Sequence, residues 1–243
     1  MILKMLVRRR IVLILLAVIP AVFLSVVEFT TSERLLPFLL ASLDEEVYIE
    51  IIEKGISFIF FAVASAGFLV SFLALNLIQK NVEVNRRLVI CVYSPNELLI
   101  SNLLSLFSMI LLIAIYVGIL TNVFFSIDHL PMFIFSLVLI GFVYGCYGLA
   151  VGSLVRGELE GILLIVLLVN IDAGWLQNPL FYAEAQNQEI IQYLPAYYPS
   201  QAAIITAFTD FSAANASLFS LLYGGAFLIL SMLLFYNKMR IRK

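Results

Sequence analysis

Six long apolar stretches are the feature that most constrains how this chain can fold. Runs without a charged side chain cover residues 11–27, 55–79, 98–127, 130–155 and 211–237, and a shorter run, 161–176, contains only Asp172. A helix needs about 20 mainly apolar residues to cross a hydrocarbon core of about 30 Å. None of the runs alternates with a period of two, which disfavours a transmembrane barrel. The pattern predicts an all-α membrane protein with six transmembrane helices in a single domain, 1–243.

The composition agrees with a protein that is embedded in a membrane. Hydrophobic residues make up 63% and charged residues 12%, against about 45–50% and about 25% in ordinary globular proteins. A soluble domain of this size could not cover so much apolar surface with so few charges. The net charge of −2 gives no support to nucleic-acid binding.

The basic residues predict the orientation, because cytoplasmic connections are enriched in Lys and Arg. With six spans and both termini in the cytoplasm, twelve of the 14 basic residues lie inside, and only Arg34 and Lys54 lie outside. Residues 1–10 then form a basic cytoplasmic segment. Arg8 to Arg10 before an apolar run also resemble a cleaved secretory signal. The long run, its Pro20 and the lack of a small-x-small cleavage site favour a retained first span.

The first outer connection, residues 31–54, is rich in acidic side chains. Its part 43–52 has apolar residues at Val47, Ile51 and Ile52, the pattern of a short amphipathic helix that could cap the outer face. A solvated acidic loop is the favoured interpretation of this segment. The next outer turn, 126–131, contains His129, the only histidine, which we interpret as a solvated loop residue.

The cytoplasmic connection 80–101 contains a basic pair, an apolar stretch and a helix-start signal. Ser94 as N-cap, Pro95 at the first helical position and Glu97 three residues after the cap form a capping box. The pattern predicts that the helix of span three begins there. The preceding segment can lie on the inner membrane surface and contact another protein.

The fifth run is short and is followed by apolar sequence that spans nothing. It carries Asn170 and Asp172 near its outer end and is interrupted at Asn178-Pro179. Pro195 and Pro199 divide the apolar sequence that follows, and tyrosines suited to the headgroup level lie around them. Non-helical backbone at membrane depth is tolerated only where it is buried in protein or lines a wet cavity. We therefore predict a broken fifth helix and a re-entrant outer-leaflet hairpin within 177–215.

Span four carries a stripe of small residues. Gly141, Gly145, Gly148 and Gly152 lie on one helix face, where small side chains permit close helix packing. An intramolecular contact is the first interpretation of this stripe, and a dimer seam is the second.

Catalytic and nucleotide-binding motifs are missing from the sequence. It contains no Gly-Lys pair for a phosphate loop and too few histidines for a zinc protease motif. We therefore expect neither enzymatic activity nor a cofactor or metal bound by this chain. The polar candidates for a pathway are Glu28, Asn170 and Asp172. Charged groups at membrane depth indicate function, but Glu28 and Asp172 lie near the outer ends of their spans, so snorkelling to the outer interface is the favoured interpretation.

The whole pattern resembles the permease subunit of a type-2 ATP-binding-cassette (ABC) exporter. The similar segments are 80–104, with a basic pair and a Ser-Pro turn before span three, 148–156 at the end of span four, and 194–208 before span six. The compact length is similar to the small permeases that act in pairs, such as those of peptide-antibiotic resistance systems.

The resemblance implies a partnership in the cytoplasmic membrane. A second permease chain, identical or related, would enclose a pathway, and separate cytoplasmic ATPase subunits would bind ATP and Mg. The coupling residues would be Arg86, Arg87, Tyr93, Ser94, Pro95 and Glu97. An amphipathic or hydrophobic cargo suits this class. The alternatives are a membrane-embedded substrate-capture subunit of an uptake system and a non-transporting membrane scaffold.

Overall fold

The apolar runs form helices in the computed structural model, which describes residues 10–40, 47–80, 95–155, 157–178, 181 and 188–239. The fifth helix continues beyond Val169 as a wider π-helix, Asn170–Leu176, which we call the π segment. The helices are α1 Arg10–Thr30, α2 Glu53–Gln79, α3 Pro95–Phe124, α4 Leu130–Leu154, α5 Glu158–Val169, α6 Gln188–Gln192, α7 Tyr197–Phe208 and α8 Ala214–Met239.

Five helices of the described part are long and apolar enough to cross a membrane: α2, α3, α4, α5 with the π segment, and α8. Helix α1 has 21 residues, but its apolar part, Ile14–Thr30, is shorter than in these five helices. The prediction of a mostly helical protein of the membrane type is confirmed at this level. The start of α3 at Pro95 also agrees with the Ser-Pro helix-start signal.

Helices α2 and α4 form the centre of the bundle. About three quarters of each is buried, 78% of the apolar window in α2 and 72% in α4, against 22–39% in the other long helices. Helix α4 contacts α2, α3, α5, α7 and α8. The outer helices α1, α3, α5 and α8 therefore cover the central pair and expose apolar side chains on their far faces.

The connections group at two ends of the bundle. At one end Gly55 lies against Phe125 and Phe208, so the start of α2 meets the ends of α3 and α7. His129 contacts Asp210 at the same end, which joins the turns before α4 and α8. At the other end the Lys80 ammonium lies 3.4 Å from the Glu158 carboxylate, and the Gln79 side chain donates to the Gly157 carbonyl at 3.2 Å. The described parts of 31–54 and the turns before α4 and α8 thus lie at the first end, and residues 80 and 157 lie at the second.

A β-hairpin at the first end replaces part of a predicted helix. Strands β1 Leu35–Leu40 and β2 Val47–Ile52 pair in antiparallel register, with Leu36 opposite Ile51. Both interpretations of 43–52, the solvated loop and the amphipathic helix, are therefore wrong for the described part 47–52. Its β-branched and aromatic residues favour a strand where an apolar partner strand is available. Residues 43–46 lie outside the described residues. We call the end of the bundle that carries this β-hairpin the hairpin end.

Candidate functional site

The change from α- to π-helix turns one carboxylate into the bundle. In the π segment Asp172 and Ala173 are buried, whereas Asn170, Ile171 and Trp175 face outward. A π-helix is rare, widens the helix by one residue per turn, and often occurs at functional sites. Asp172 is only 9% exposed, so this acidic group is withdrawn from the surface of the protein.

Two donors hold the Asp172 carboxylate. Its Oδ2 accepts a hydrogen bond from the hydroxyl group of Tyr144, which lies in the middle of α4. The same oxygen accepts a hydrogen bond from the backbone N–H of Ala196, at 3.1 Å. Ala196 precedes the first residue of α7. The N–H groups at a helix start have no partner within the helix, and the helix dipole favours a negative charge there. Asp172 therefore caps α7 and ties it to α4.

Aromatic side chains from three helices, α4, α7 and α8, pack together near this carboxylate. The Tyr144 and Tyr147 rings are 6.0 Å apart, and Tyr147 meets Phe227 of α8 at 5.5 Å. Tyr198 of α7 stacks on Phe219 of α8 at 4.7 Å. We call the group of Asp172, Tyr144, Tyr147, Gln177 and the start of α7 the Asp172 cluster.

Several polar atoms in and near the cluster are buried without a hydrogen-bond partner among the described residues. They are Asp172 Oδ1, Gln177 Nε2, Tyr147 Oη, Ser200 Oγ and Gln201 Oε1. An unpaired buried polar group costs about 1–3 kcal/mol, which favours water or a small polar molecule between such groups. In the described part of the chain no three His, Cys, Asp or Glu side chains are placed to hold a metal.

The Asp172 cluster lies deep along α4. Tyr144 is fourteen residues after Leu130, which corresponds to about 21 Å of helix rise. From this level α7 runs back to the hairpin end, where Thr206 meets Ser136 at 3.3 Å between hydroxyl oxygens. Phe208 then packs on Phe125 with ring centroids 5.5 Å apart. Helix α7 is therefore antiparallel to α4 and occupies only the hairpin half of the bundle.

The three polar residues suggested by sequence do not converge. Glu28 forms an ion pair with Lys54, with Oε1 and Nζ 2.7 Å apart. Asn170 is exposed and donates to the Val166 carbonyl of its own helix at 2.7 Å. Asp172 is buried against Tyr144 and does not snorkel to the surface, because the π segment turns it toward α4 and the start of α7 needs an acceptor.

The four glycines of span four lie against other helices of the same chain. A Cβ added to Gly141 or Gly145 would meet Ile110 of α3, and one added to Gly148 or Gly152 would meet the backbone of α2. The stripe thus faces α2 and α3, where close approach requires the absence of side chains.

Most of the predicted coupling segment lies outside the described residues. This applies to Arg86, Arg87, Tyr93 and Ser94. Pro95 is the first residue of α3 and Glu97 is exposed in its first turn.

Two polar contacts at the hairpin end were missed by the sequence reasoning. His129 Nε2 lies 2.7 Å from Asp210 Oδ1 across the turns before α4 and α8. The Ser32 hydroxyl and the Arg34 guanidinium both donate to Glu53 Oε2 at 2.5 Å. The sequence contains no local signal for the first contact, because its partners are 81 residues apart.

Comparison with known proteins gives no family for this chain. No protein-family model matches the sequence, and no curated protein matches it.

Proposed function

We propose that this chain is the transmembrane subunit of a type-2 ABC exporter, with six spans and both termini in the cytoplasm. The hairpin end is then the outer face of the cytoplasmic membrane. The observation that carries the proposal is α7, a helix of 12 residues that is almost wholly buried but covers only the hairpin half of the bundle. Its rise of about 18 Å is too short for a bilayer core of about 30 Å.

A buried half-helix of this kind supports a re-entrant element. The backbone at the start of α7 needs partners at membrane depth, since no water is available in the hydrocarbon region. Asp172 supplies one of them through the Ala196 N–H. A buried carboxylate that binds the start of a helix too short to span the membrane is typical of transport proteins, in which interrupted helices meet at the transport pathway.

The charges support the sidedness. Lys80 lies at the end opposite the hairpin, and the basic pair Arg86 and Arg87 follows in sequence. Such clusters of basic residues are typical of cytoplasmic connections. The cytoplasmic segments 1–10 and 80–101 would form the docking surface for a separate ATPase subunit, which binds ATP and Mg.

The contacts at the Lys80 end of the bundle indicate how a movement of the ATPase at the docking surface would be transmitted to the helices. Lys80 pairs with Glu158, and Gln79 binds the Gly157 carbonyl, so the end of α2 holds the start of α5. The far end of α5 carries Asp172, which holds α7. Closure of the ATPase on ATP would then shift α5 and α7 together. Such coupling requires that the ATP-bound partner prefers one of the two arrangements.

The apolar outer faces support association with lipid and with a second permease chain. Leu163, Leu167 and Ile171 are exposed on the fifth helix, and the exposed Asn170 lies among them. A polar side chain on an apolar helix face is typical of a helix–helix contact in a membrane. Two such chains would enclose the pathway, and an amphipathic or hydrophobic cargo suits its apolar walls.

One observation favours the substrate-capture subunit as a second candidate. The unpaired polar atoms of Asp172, Gln177 and Gln201 are the kind of group that holds a small polar ligand inside a bundle. A capture subunit would bind its ligand without ATP or an ATPase. An exporter permease would show ATP-dependent behaviour only together with its partner.

The test is affinity purification of the tagged full chain from its native membrane in mild detergent. We expect a separate ATPase subunit to co-purify. The double variant Arg86→Glu with Arg87→Glu should insert normally but lose the ATPase, because it reverses the charge of the docking surface. The matched control Arg240→Glu with Arg242→Glu makes the same charge change at the C-terminus and should retain it. Absence of any ATPase from the wild-type complex would contradict the proposal.

A further inference from the structure

A half-open groove lies at the hairpin end between α4, the end of α7 and the start of α8. Its volume is 430 Å³, within the range of about 300–1,000 Å³ that ligand pockets occupy. It contains none of the residues of the Asp172 cluster, which lies deeper along α4. The groove is therefore a separate space, and what it binds does not depend on the transport function proposed above.

One wall of the groove is apolar and open to the side. Met132 and Phe135 of α4 and Phe211 before α8 line it and are 60%, 47% and 50% exposed. The neighbouring face of α8 continues as exposed Leu218 and Leu222. In a membrane this wall would face hydrocarbon. An acyl chain can therefore enter the groove from the side without crossing water.

The polar wall offers hydrogen-bond acceptors. The hydroxyl groups of Ser136, Thr206 and Thr209 already donate to backbone carbonyls of their own helices, at 3.1, 2.8 and 2.8 Å. Thr209 Oγ1 also accepts from the Phe211 N–H at 3.4 Å, and the Ser136 and Thr206 oxygens are 3.3 Å apart. A hydroxyl oxygen has two lone pairs, so what each can still do is accept a hydrogen bond. With the Asp210 carboxylate in the same lining, this wall suits a ligand group that carries several N–H donors and a positive charge.

A hydrogen bond between His129 and Asp210 lies at the mouth of the groove. His129 Nε2 and Asp210 Oδ1 are 2.7 Å apart, and the two side chains are 48% and 96% exposed. An exposed pair of this kind contributes little to stability, so a ligand can replace it at small cost. A zwitterion complements both partners: its cation binds Asp210 and its phosphate accepts from the imidazole. The start of α8, at Ala214, also lines the groove and favours a phosphate.

We propose that the groove binds one zwitterionic phospholipid with a primary ammonium group, phosphatidylethanolamine, from the leaflet at the hairpin end. The headgroup lies at His129 and Asp210, and one acyl chain lies along Met132, Phe135 and Phe211. The ammonium group supplies the donors that the acceptor wall lacks. Phosphatidylcholine, whose ammonium has no N–H, and phosphatidylglycerol, which has no cation, match the wall less well.

The test uses the full-length chain, stripped of lipid in detergent, and native mass spectrometry with each of the three lipids at equal concentration. We expect one retained phosphatidylethanolamine per chain, with an apparent affinity about tenfold above that for the other two. Asp210→Asn should remove this preference. Glu50→Gln, which neutralises an exposed carboxylate outside the groove, should leave it unchanged.

Two variants that fill the groove test the acyl-chain position. Ala214→Phe and Met132→Trp enlarge exposed side chains of the lining, so each should fold and lose the bound lipid. If either folds poorly, the other gives the answer. Lipid retention unchanged in the folded filling variants would overturn the binding site. Equal retention of all three lipids, with no effect of Asp210→Asn, would overturn the headgroup assignment.

Discussion

Replacing Gly148 by alanine tests the packing of the central helices. The added methyl carbon would lie closer to the Ser71 carbonyl oxygen of α2 than the 3.0 Å that real Cβ atoms keep, and 3.0 Å from Ala74 Cβ. The oxygen belongs to the backbone of a buried helix, so it cannot turn aside. Ordinary contacts need about 3.5–4.0 Å, and α2 and α4 would have to separate by roughly 1 Å.

The expected cost follows from two opposing terms. Overpacking of a close contact costs about 1–3 kcal/mol, and replacing a helical glycine by alanine recovers about 0.5–1 kcal/mol. The two ranges combine to between about 0 and 2.5 kcal/mol. Because the clash is with backbone, we expect the upper part, about 1–2 kcal/mol, which lowers the melting midpoint of a chain of this size by about 2–8 °C.

The assay is a thermal melt in detergent followed by size-exclusion chromatography, which needs no transport substrate. Gly225→Ala is the matched control, because nothing lies within 4 Å of its added carbon; it should melt at or above the wild-type temperature. Gly152→Ala, whose Cβ would lie 3.2 Å from Ile78 Cβ, should fall between the two. If Gly148→Ala melts no lower than Gly225→Ala, the proposed close approach of α2 and α4 is refuted.

Three further outcomes follow from the contacts. Asp172→Ala should lower stability by about 2 kcal/mol, because Tyr144 and the Ala196 N–H lose their acceptor. Asp172→Asn keeps an acceptor oxygen and should cost less. Equal stability of both variants and the wild type in the same melt would contradict the role of Asp172 as the cap of α7. A double-mutant cycle of Glu28→Gln and Lys54→Met should give a coupling free energy below about 1 kcal/mol, and added salt should reduce it. A coupling free energy that does not change with salt would contradict an ion pair at the membrane–water interface. Asn170→Leu should change the melting of the single chain by less than about 0.5 kcal/mol but weaken crosslinking between two chains, and unchanged crosslinking would exclude this face from the dimer contact.

The helices could be predicted from the sequence because their signal is local. Runs of apolar residues long enough to span gave the positions of α1 to α5 and α8, and the Ser-Pro signal gave the start of α3 at Pro95.

The hairpin and the Asp172 cluster could not be predicted because both depend on partners distant in sequence. Val47–Ile52 has β-branched residues that favour a strand, but the register against Leu35–Leu40 is visible only in three dimensions. The depth of Asp172 depends on the π segment and on where α4 presents Tyr144. An acidic residue near the end of an apolar run gives no information on which helix it will meet.

The central claim is that a separate ATPase changes the conformation of this chain, and the most direct measurement does not need the cargo. A single cysteine would replace the exposed Ser212, in the turn between α7 and α8 at the hairpin end, with Cys91 changed to Ser and Cys146 to Ala. The chain, reconstituted with the co-purified ATPase, would be labelled from the outside by a membrane-impermeant maleimide. We expect ATP, supplied on the ATPase side, to change the labelling rate several-fold relative to ADP. We expect no change when the ATPase is absent. Equal rates with ATP and ADP in the complete assembly would contradict the account.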